Sequence, residues 1–512
     1  MRLGIDFGTT HTVVALVDRG NYPVVSFEWG EVTPSVIAAG PQGELRFGHD
    51  AVLAAREPGW QGLRSFKRLL DQAGPETAVE LNGRKYLLSD LLAGFLGQLK
   101  RDLHERSNAS LQEGEPLEAA VSVPANASTA QRFLTLDAFR RAGFDVHGLL
   151  NEPSAAGFEY AHRFRATLTS KREYVLVYDL GGGTFDASLL HMEGRSNEVV
   201  TSSGISRLGG DDFDEAILGV ALSKLGGAAM DAGARDLLLE ECRAQKESVT
   251  PNTRKLTIDL EPIGRPPISL PIDEVYAACA PLAQATMEAL APAMRDPRRQ
   301  GSEEGDGVEW SELAGLYVVG GASNFPPVYR LLRETFGQHR VRRSPHPFGS
   351  IAIGLAISLD EEAGWALRER LTRHLGVFRE ENAGQGTSFD VILPKDTPLP
   401  APGEPPLTIT RRYRAAHNVG HFRFVECARV EAGRPEGNVA LWDEALFPYD
   451  PALRGEPDLA SVPVRRLLEP GPEIEETFRV TAGGALEIEL RVLDDGYGRE
   501  LRIAREGGLS QP

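Results

Sequence analysis

The sequence predicts an α/β protein of two similar lobes, followed by a separate domain built from β-strands. A strand-and-glycine motif occurs twice, at residues 3–10 and 175–184. Each copy runs from an apolar strand through an aspartate and a glycine/threonine turn into a second apolar strand. Beyond about residue 372 the chain changes to proline-rich segments and alternating strands. The repeated motif indicates duplicated lobes, and the change of composition indicates a further domain.

The size and charge of the chain limit what it can be. At 512 residues it exceeds a single hydrophobic core, so several domains are expected. The net charge of -18 disfavours nucleic acid or a membrane as the main partner. Cys242, Cys279 and Cys427 form no C-x-x-C motif, which argues against a disulfide framework or a zinc site. Without a signal peptide or an apolar run of about 18 residues, a cytoplasmic location is expected.

The glycine/threonine turns suit the binding of phosphate. Glycine leaves backbone N–H groups open to an anion, and threonine hydroxyls add further donors. Asp6 and Asp179 end the two strands, where a carboxylate can hold Mg²⁺ through water. One such turn is weak evidence, because glycine/threonine hairpins are common. Two of them imply lobes that close on one nucleotide from opposite sides.

Apolar spacing places the other elements of the first lobe. Residues 88–105 carry leucine and phenylalanine at helical spacing, which predicts a helix. Residues 119–124 predict a buried strand that proline ends, and Ser128 can cap the helix that follows. A basic helix is expected to begin at residues 65–70. At residues 151–157 a strand turns into a helix whose small residues permit close packing.

The second lobe continues with a turn at residues 208–214, a helical region over 214–249 and a strand at 316–319. Residues 296–309 are charged and are expected to form an exposed loop. Residues 345–359 return to a small apolar helix.

The tail alternates as antiparallel strands do. Residues 394–406 hold six prolines. Apolar and charged residues alternate over 486–492, which predicts a strand with one buried face. Glycine turns at 482–484 and 494–496 border this strand.

Five segments taken together resemble the nucleotide motifs of the actin-like (ribonuclease H-like) ATPase superfamily, and within it the 70-kDa heat-shock (DnaK-type) chaperones. The segments occur in the family's order, at residues 6–10, 151–156, 179–186, 319–321 and 351–356. The turn at 208–214 also matches. The tail from Leu375 to Ile503 resembles the family's β-sandwich substrate-binding domain. The likeness is specific in the N-terminal two thirds and looser beyond.

The resemblance implies a domain organisation. A nucleotide-binding ATPase domain is expected first, then an interdomain linker and a β-sandwich, substrate-binding-like domain. The expected bounds are 1–365 for the ATPase domain, with lobe I at about 1–170 and 341–365 and lobe II at about 171–340, 366–374 for the linker and 375–507 for the β-sandwich.

The resemblance also implies catalytic roles. Lys67 matches the lysine that reaches the γ-phosphate, although a lysine at that place can also be a solvated helix residue. Glu152 matches the carboxylate that helps orient the attacking water, although it also suits a helix start. Thr184 matches the hydroxyl beside the γ-phosphate. The expected catalytic residues are Lys67, Glu152, Asp179, Thr184 and Asp186, and the carboxylates expected to hold hydrated Mg²⁺ and K⁺ are Asp6, Asp179 and Asp186.

The residues expected around ATP or ADP depart from the family's pattern on the side of the base. Glu247 stands where the family has a stacking arginine, and Arg243 where it has a glutamate, four residues apart and able to pair. Phe348 replaces an aspartate. We therefore expect intact phosphate chemistry and altered base recognition. The expected nucleotide-binding residues are Gly8, Thr9, Thr10, His11, Gly181, Gly182, Gly183, Gly209, Gly210, Asp211, Lys246, Glu247, Thr250, Gly320, Gly321 and Ala322.

Further departures lie between the domains. The family's apolar linker aligns with residues 366–370, whose charged pattern predicts a continuing helix. Gly148 replaces an arginine used in binding J-domain co-chaperones, and nothing in the sequence matches the family's helical lid. Pro124 and Arg132 match residues through which the family passes the nucleotide state to the second domain.

The resemblance implies an ATP-dependent molecular chaperone that hydrolyses ATP with Mg²⁺ and binds unfolded or extended polypeptide. A monomer with co-chaperones and without nucleic acid or membrane partners is expected. One alternative is an ATP-regulated docking or scaffold protein without a peptide groove. A sugar or glycerol kinase shares the opening motif at residues 6–10, and a filament-forming actin relative is a third class.

Overall fold

The computed structural model describes residues 1–502, apart from residues 75, 113, 227–229, 231, 300–305, 382–383, 402–403, 438, 482–483 and 485. Part of the predicted loop at 296–309, most of the predicted turn at 482–484 and the end of the tail at 503–507 lie outside the described residues. The chain forms two compact units. The N-terminal unit comprises Met1–Asn126 and Leu134–Leu367, and the C-terminal unit comprises Ala127–Phe133 and Arg368–Pro512.

The first lobe of the N-terminal unit contains a five-stranded sheet of order β10-β9-β1-β2-β3, with a three-stranded sheet β5-β4-β6 and a hairpin β7-β8. Its strands are β1 (Arg2–Phe7), β2 (His11–Leu16), β3 (Thr33–Pro34), β4 (Val36–Ala39), β5 (Leu45–Phe47), β6 (Gln61–Arg64), β7 (Ala78–Leu81), β8 (Arg84–Leu87), β9 (Glu118–Val123) and β10 (Asp145–Asn151). The helices are α1 (Gly48–Ala54), α2 (Leu88–Glu105), α3 (Thr129–Arg141), whose first turn falls in the C-terminal unit, and α4 (Glu152–Phe164).

The second lobe contains a six-stranded sheet of order β17-β16-β11-β12-β13-β18 and a hairpin β14-β15. Its strands are β11 (Tyr174–Leu180), β12 (Phe185–Glu193), β13 (Ser196–Ile205), β14 (Lys255–Ile258), β15 (Ile268–Pro271), β16 (Leu313–Val319), β17 (Val341–Arg343) and β18 (Ala366–Arg368). The helices are α5 (Gly210–Lys224), α6 (Ala232–Glu247), α7 (Ile272–Ala293), α8 (Pro326–Phe336) and α9 (Ser350–Ser358).

The two large sheets repeat one arrangement. In the first, β1 pairs with β2 as an antiparallel hairpin and with β9 in parallel. In the second, β11 pairs with β12 and with β16 in the same two ways. The repeated sequence motif therefore forms the same hairpin in each lobe, which confirms the prediction of an α/β fold with duplicated lobes.

Helices α4 and α9 contact each other closely because their facing residues are small. A Cβ on Gly354 of α9 would lie 1.8 Å from the carbonyl oxygen of Ala155 in α4. A Cβ on Gly4 of β1 would lie 2.1 Å from the carbonyl oxygen of Ala352. The small residues noted at 151–157 therefore serve helix packing, as expected. This contact fixes the start of α4, which carries Glu152.

The C-terminal unit is a β-sandwich of two four-stranded sheets, of order β20-β19-β22-β25 and β21-β26-β27-β28, with a small hairpin β23-β24. Buried side chains from both sheets form its core, among them Val377, Phe424, Phe478 and Ile488. Its strands are β19 (His374–Glu381), β20 (Gly386–Leu393), β21 (Leu407–Arg414), β22 (Val419–Cys427), β23 (Arg429–Glu431), β24 (Arg434–Glu436), β25 (Ala440–Pro448), β26 (Glu473–Val480), β27 (Leu486–Val492) and β28 (Gly498–Arg502).

Two predictions about local structure were wrong in part. Residues 366–370 do not continue a helix, because Ala366–Arg368 forms strand β18 and the N–H of Ala366 donates to the carbonyl of Arg195. The basic segment at 65–70 forms a 3₁₀ helix, Phe66–Gln72, in place of an α-helix. Within the described parts of the chain, no helix combines the length and apolar character needed to cross a membrane.

Candidate functional site

A cleft with about 760 Å³ of empty space lies between the two lobes of the N-terminal unit. The two hairpin turns form its floor, and the starts of α4 and α5 and the turn after β16 complete the walls. Most of the residues predicted from the sequence line it. They are Asp6, Gly8, Thr9, Thr10, His11, Glu152, Asp179, Gly181, Gly182, Thr184, Gly210, Asp211, Lys246, Glu247, Gly320, Gly321 and Ala322.

Five predicted residues do not line the cleft directly. Lys67 and Asp186 are buried beneath it. The carbonyl of Gly183 accepts a hydrogen bond from Arg68 at 2.9 Å, and a Cβ on Gly209 would lie 2.6 Å from the backbone of Gly182. These four residues lie behind the residues that line the cleft and contact them or their neighbours. Thr250 is exposed and bonds with Thr253 instead, so the structure does not bring it to the cleft.

A buried ion pair joins Lys67, beneath the cleft, to Glu152 in its lining. The Lys67 ammonium donates to Glu152 at 2.8 Å and also to the carbonyl oxygen of Phe7. Lys67 is 3% exposed and Glu152 8%. Burying two charges is costly unless they are paired and hydrogen-bonded, so this pair holds both side chains in one geometry. Lys67 reaches it from the 3₁₀ helix after β6, and Glu152 from the first residue of α4.

Three aspartates surround this pair with excess negative charge. Asp179 and Asp186 lie directly opposite each other on β11 and β12. Burial, reinforced by the nearby Glu152, raises the pKa of Asp6 and that of Asp186 to about 7. The same causes, in the same order, raise the pKa of Asp179 well above its ordinary value.

Such a set of oxygen donors fits a hard cation, because a positive charge relieves the repulsion among buried carboxylates. Within the described residues, no group of three or more histidine, cysteine, aspartate or glutamate side chains is placed to hold a metal ion directly. A Mg²⁺ ion that keeps several of its water molecules would suit the carboxylates of Asp6, Asp179 and Asp186.

Glycines in the second turn let the two lobes approach each other. A Cβ on Gly182 would lie 2.3 Å from the side chain of Thr10, and one on Gly183 would lie 2.6 Å from Thr9. The structure thus adds a second reason for these glycines besides the access of phosphate. Any larger residue at either position would force the turns apart.

Polar contacts between the two lobes could not be predicted from the sequence. Ser65 Oγ donates to Asp211 at 2.6 Å, and Arg68 donates to Asp212 at 2.6 Å. Arg64 forms an ion pair with Glu240. All three donors flank Lys67, yet only Lys67 matched a family motif. Their basic or hydroxyl side chains indicated that they could bind carboxylates. Their partners could not be identified, because they lie far away in the sequence.

The base side of the cleft differs from the expectation in one detail. Arg243 does not pair with Glu247. Instead its guanidinium donates to Asp211 at 2.8 Å and lies 3.5 Å from both Asp214 and Glu240. Lys246 forms a buried pair with Asp214 at 2.7 Å. The cation expected to pair with Glu247 is therefore held by other carboxylates, and Glu247 remains at the cleft wall.

Aromatic rings form the wall next to this cluster. Phe348 and His11 meet edge to face, with ring centroids 5.5 Å apart. A Cβ on Gly321 would lie 2.4 Å from the Phe348 ring, so this glycine makes room for the phenylalanine. Burial, together with the positive charges of Arg243 and Lys246, lowers the pKa of His11 to about 4. His11 is therefore a neutral wall residue at pH 7.

Two similar lobes that enclose glycine/threonine turns, a buried lysine–glutamate pair and clustered aspartates define a protein of the actin-like ATPase class. The family model described as "Hsp70 protein" matches residues 70–364, more than half of the chain. The chain belongs to this family.

Curated relatives agree with this assignment. The chain is 30% identical over 534 residues to "Chaperone protein HscA homolog" of Chromobacterium violaceum, with 100% of this chain and 79% of that protein covered. It is 29% identical over 531 residues, with the same coverage, to the protein of that name from Acidithiobacillus ferrooxidans. It is 30% identical over 548 residues, again with the same coverage, to that from Laribacter hongkongensis. The expected family is therefore confirmed.

Proposed function

We propose that this Hsp70-type chaperone binds and hydrolyses ATP in the cleft of its N-terminal unit and holds extended polypeptide in its β-sandwich. The observation that supports hydrolysis is the buried pair of Lys67 and Glu152 among Asp6, Asp179 and Asp186, beside two glycine turns. Phosphoryl transfer to water requires charge stabilisation and an oriented nucleophile, and these residues supply both.

Each group has a distinct role in the proposal. Backbone N–H groups of the two turns bind the phosphate oxygens, and the Lys67 ammonium stabilises negative charge on the transferred group. Glu152, held by Lys67, orients the attacking water. Hydrated Mg²⁺, near the three aspartates, would neutralise phosphate charge when it is bound.

Hydrolysis is tested by replacing Lys67. Lys67→Ala is expected to lower turnover by about a hundredfold, because one transition-state contact is lost, while ATP binding measured by calorimetry is largely kept. Lys224→Ala is the matched control, because Lys224 also pairs with a glutamate at 2.7 Å but lies outside the cleft. Unchanged turnover in Lys67→Ala, with binding intact, would contradict the role given to Lys67.

The observation that supports polypeptide binding is a wide groove in the β-sandwich, bordered by β19, β20, β21 and β22. An exposed sheet edge and side-chain pockets are how sheets hold extended peptides. Fluorescence anisotropy with labelled extended peptides tests this directly. Absence of binding to every peptide would favour the docking or scaffold alternative.

The remaining alternatives and assignments stay predictions. Membership of the Hsp70 family argues against a sugar or glycerol kinase, and a phosphorylation assay across polyols would decide the matter. A cytoplasmic location, a monomeric state and binding of co-chaperones rest on the family resemblance alone. We also propose that residues 1–365 act as the ATPase domain, residues 366–374 as the interdomain linker and residues 375–507 as the β-sandwich, substrate-binding-like domain.

A further inference from the structure

The connection between β25 and β26 is longer than a simple link requires. It spans residues 449–472 and joins strands of two different sheets of the sandwich. It contains two short 3₁₀ turns, Pro451–Leu453 and Leu459–Ser461, and is otherwise irregular or extended. Loops longer than about 15 residues with little secondary structure are uncommon in compact domains and usually have a function. This connection is therefore a candidate for a functional element.

The second half of this connection is fixed at both ends. The Leu459 side chain is buried at one end. Gly471 is buried at the other end, where its N–H donates to the carbonyl oxygen of Ala415 at 3.2 Å and a Cβ would lie 2.4 Å from that oxygen. Residues 462–468, between these ends, are exposed or half-buried. We call residues 462–468 the strap.

The strap pairs with the chain between β21 and β22 as a short antiparallel strand would. The N–H of Leu467 donates to the carbonyl oxygen of Ala416 at 2.9 Å. The N–H of Asn418 donates to the carbonyl oxygen of Arg465 at 3.1 Å. The backbone edge of residues 416–418 is therefore already bonded to another part of the same chain.

The Asn418 side chain adds two further bonds to the strap. Its Oδ1 accepts from the N–H of Arg465 at 2.7 Å, and its Nδ2 donates to the carbonyl oxygen of Pro463 at 3.2 Å. Asn418 is buried and lies outside the lining of the groove in the C-terminal unit. One side chain outside the groove thus helps to hold the strap in place.

The strap forms part of the wall of that groove. The groove has about 1640 Å³ of empty space, and Val464 and Arg466 of the strap line it, as do two residues of the paired segment, Ala416 and His417. The Arg466 guanidinium also donates to Glu380 of β19 at 2.5 Å. A backbone edge bonds to one strand at a time, so an extended chain that used this edge would have to displace the strap.

The strap is held by polar contacts more than by apolar burial. The side chain of Leu468 is fully exposed, and that of Val464 is 61% exposed. The ion pair of Arg466 with Glu380 leaves 50% and 32% of the two side chains exposed, and such pairs contribute little to stability. A surface segment with few buried apolar contacts opens at a small fraction of the free energy of global unfolding. The strap can therefore open while the sandwich stays folded.

We propose that the strap is an internal ligand of the groove, and that it must leave the backbone edge of residues 416–418 before an external extended chain can bind there. This inference rests on the proposed binding of polypeptide by the β-sandwich and adds its regulation. In the closed form, Arg465 and Leu467 occupy the edge. In the open form, the carbonyl oxygen of Ala416 and the N–H of Asn418 can bond to an added strand.

The first test asks whether the strap binds as a separate molecule. In the full-length protein, residues 462–468 are replaced by a glycine–serine linker of equal length, and a labelled synthetic peptide of residues 461–469 is added. Fluorescence anisotropy is expected to show at least about tenfold tighter binding to this strapless variant than to the unaltered protein, because only the variant offers a vacant edge. Absence of binding to the strapless variant, or equal binding to both proteins, would overturn the inference.

Two modified strap peptides locate the contact. N-methylation at Leu467 removes the donor to Ala416 and is expected to weaken binding about tenfold. N-methylation at Arg466 is the matched control. Arg466 lies opposite His417 between the two backbone bonds, so its N–H points away from that segment. Equal affinities of the two modified peptides would overturn the proposed pairing.

Asn418→Ala loosens the strap without altering its sequence or the groove lining, and it also serves where the strapless protein does not fold. Hydrogen exchange in the full-length protein is expected to become about tenfold faster at the amides of Arg465 and Leu467 and to stay unchanged in β26. Asn108→Ala is the matched control, because its side-chain oxygen also accepts from a backbone N–H, that of Ser26 at 2.9 Å, in the N-terminal unit. Unchanged exchange at both strap amides in Asn418→Ala would overturn the inference.

An unrelated peptide separates this inference from the proposed function. A labelled peptide of the same length, with a central leucine flanked by alanine and serine, is expected to bind the strapless variant and Asn418→Ala more tightly than the unaltered protein. Equal binding to all three proteins would leave the proposed function standing and overturn the inference. Binding of the strap peptide without binding of the unrelated peptide would support the strap as an internal ligand and overturn the proposed function.

Discussion

Phe348 gives the base side of the cleft an aromatic wall in place of a charged one. Its ring meets His11 edge to face and lies against Gly321. The nearby cations are held by carboxylates, since Arg243 pairs with Asp211 and Lys246 with Asp214. A ring that stacks on a base tolerates any purine, because every base presents a π-face. Base recognition here is therefore expected to rest on stacking more than on hydrogen bonds.

Phe348→Ala tests this wall. The variant is expected to bind ATP and GTP more weakly by about 1–3 kcal/mol each, because the stacking surface is lost for both bases. Calorimetry with both nucleotides measures the change. Phe336→Ala removes a ring that stacks on Trp310 outside the cleft and serves as the control. Unchanged affinity in Phe348→Ala would show that the base lies elsewhere.

His11 makes the stability of the N-terminal unit depend on pH. Its folded-state pKa of about 4 lies below the ordinary 6.5, because of burial and the charges of Arg243, Lys246 and Arg64, which Asp211 only partly offsets. The unfolded chain therefore binds the proton more readily than the folded one, and this contribution to stability falls as pH drops from 6.5 to about 4.

The expected result is a pH-dependent difference between two proteins. Relative to His11→Asn, the unaltered protein should lose about 1.4 kcal/mol of unfolding free energy per pH unit in that window. Urea unfolding at several pH values measures this loss. The buried aspartates make an opposing contribution in both proteins, so it cancels when the two free energies of unfolding are subtracted. His147→Asn, at an exposed histidine, controls for loss of the ring. A constant difference across the window would contradict the lowered pKa of His11.

At the scale of elements, the contact between α4 and α9 depends on one glycine. Gly354→Ala would place a Cβ 1.8 Å from the carbonyl oxygen of Ala155, which is backbone and cannot move aside cheaply. We expect a loss of about 3 kcal/mol or more in unfolding free energy. The matched control is Gly219→Ala in the exposed part of α5, where a Cβ meets nothing within 4 Å.

The control is expected to move the other way. Gly219→Ala should gain about 0.5–1 kcal/mol, since alanine is the better helix former. Urea unfolding of both variants measures whether the free energy of unfolding falls in Gly354→Ala and rises in Gly219→Ala. A destabilisation of similar size in both would mean that loss of glycine itself, and not the approach of the helices, sets the effect.

Elements with a strong local pattern could be predicted from the sequence. The leucine spacing over 88–105 gave the bounds of α2, and Ser128 Oγ accepts from the N–H of Gln131 as a cap should. Residues 366–370 were predicted wrongly, because charged residues do not distinguish a helix from an edge strand. The hydrogen bond from Ala366 to Arg195 that makes the strand depends on a distant partner.

The same limit applies to the cleft. Residues within the glycine motifs could be placed from the sequence, because those turns are local. Thr250 was expected at the cleft by alignment with the family, but its bonds are with Thr253. Ser65 and Arg68 donate hydrogen bonds to Asp211 and Asp212 in the other lobe. No local sequence pattern predicts such contacts.

At the scale of the whole molecule, the C-terminal unit is assembled from two separate stretches of chain. Residues 127–133 belong to it together with the chain from Arg368 onward. The N–H of Thr129 donates to Glu426 at 3.0 Å, and its hydroxyl donates to the same carboxylate. Glu369 and Glu426 counter the lowering of the Arg132 pKa that burial causes.

A fragment of residues 368–512 should therefore be less stable than the same unit in the full chain. The fragment lacks Thr129, so the buried Glu426 loses the N–H and hydroxyl donors of that residue and keeps Arg373 at 3.4 Å. The loss is expected to lower the free energy of unfolding by about 1–3 kcal/mol. Calorimetry compares the melting of the fragment with that of the full-length protein. Addition of residues 127–133 through a flexible linker should restore part of the difference, and equal melting of the two forms would contradict the expectation.

The polypeptide passes from one unit to the other three times, after residues 126, 133 and 367. Recombination that exchanges only the C-terminal part of the gene would join a new β-sandwich to an old segment at 127–133. Such a hybrid keeps its own Thr129 and Arg132 but receives a foreign residue in place of Glu426. The β-sandwich is therefore restricted in being exchanged between proteins by itself, because residues 127–133 and the chain from Arg368 onward must change together.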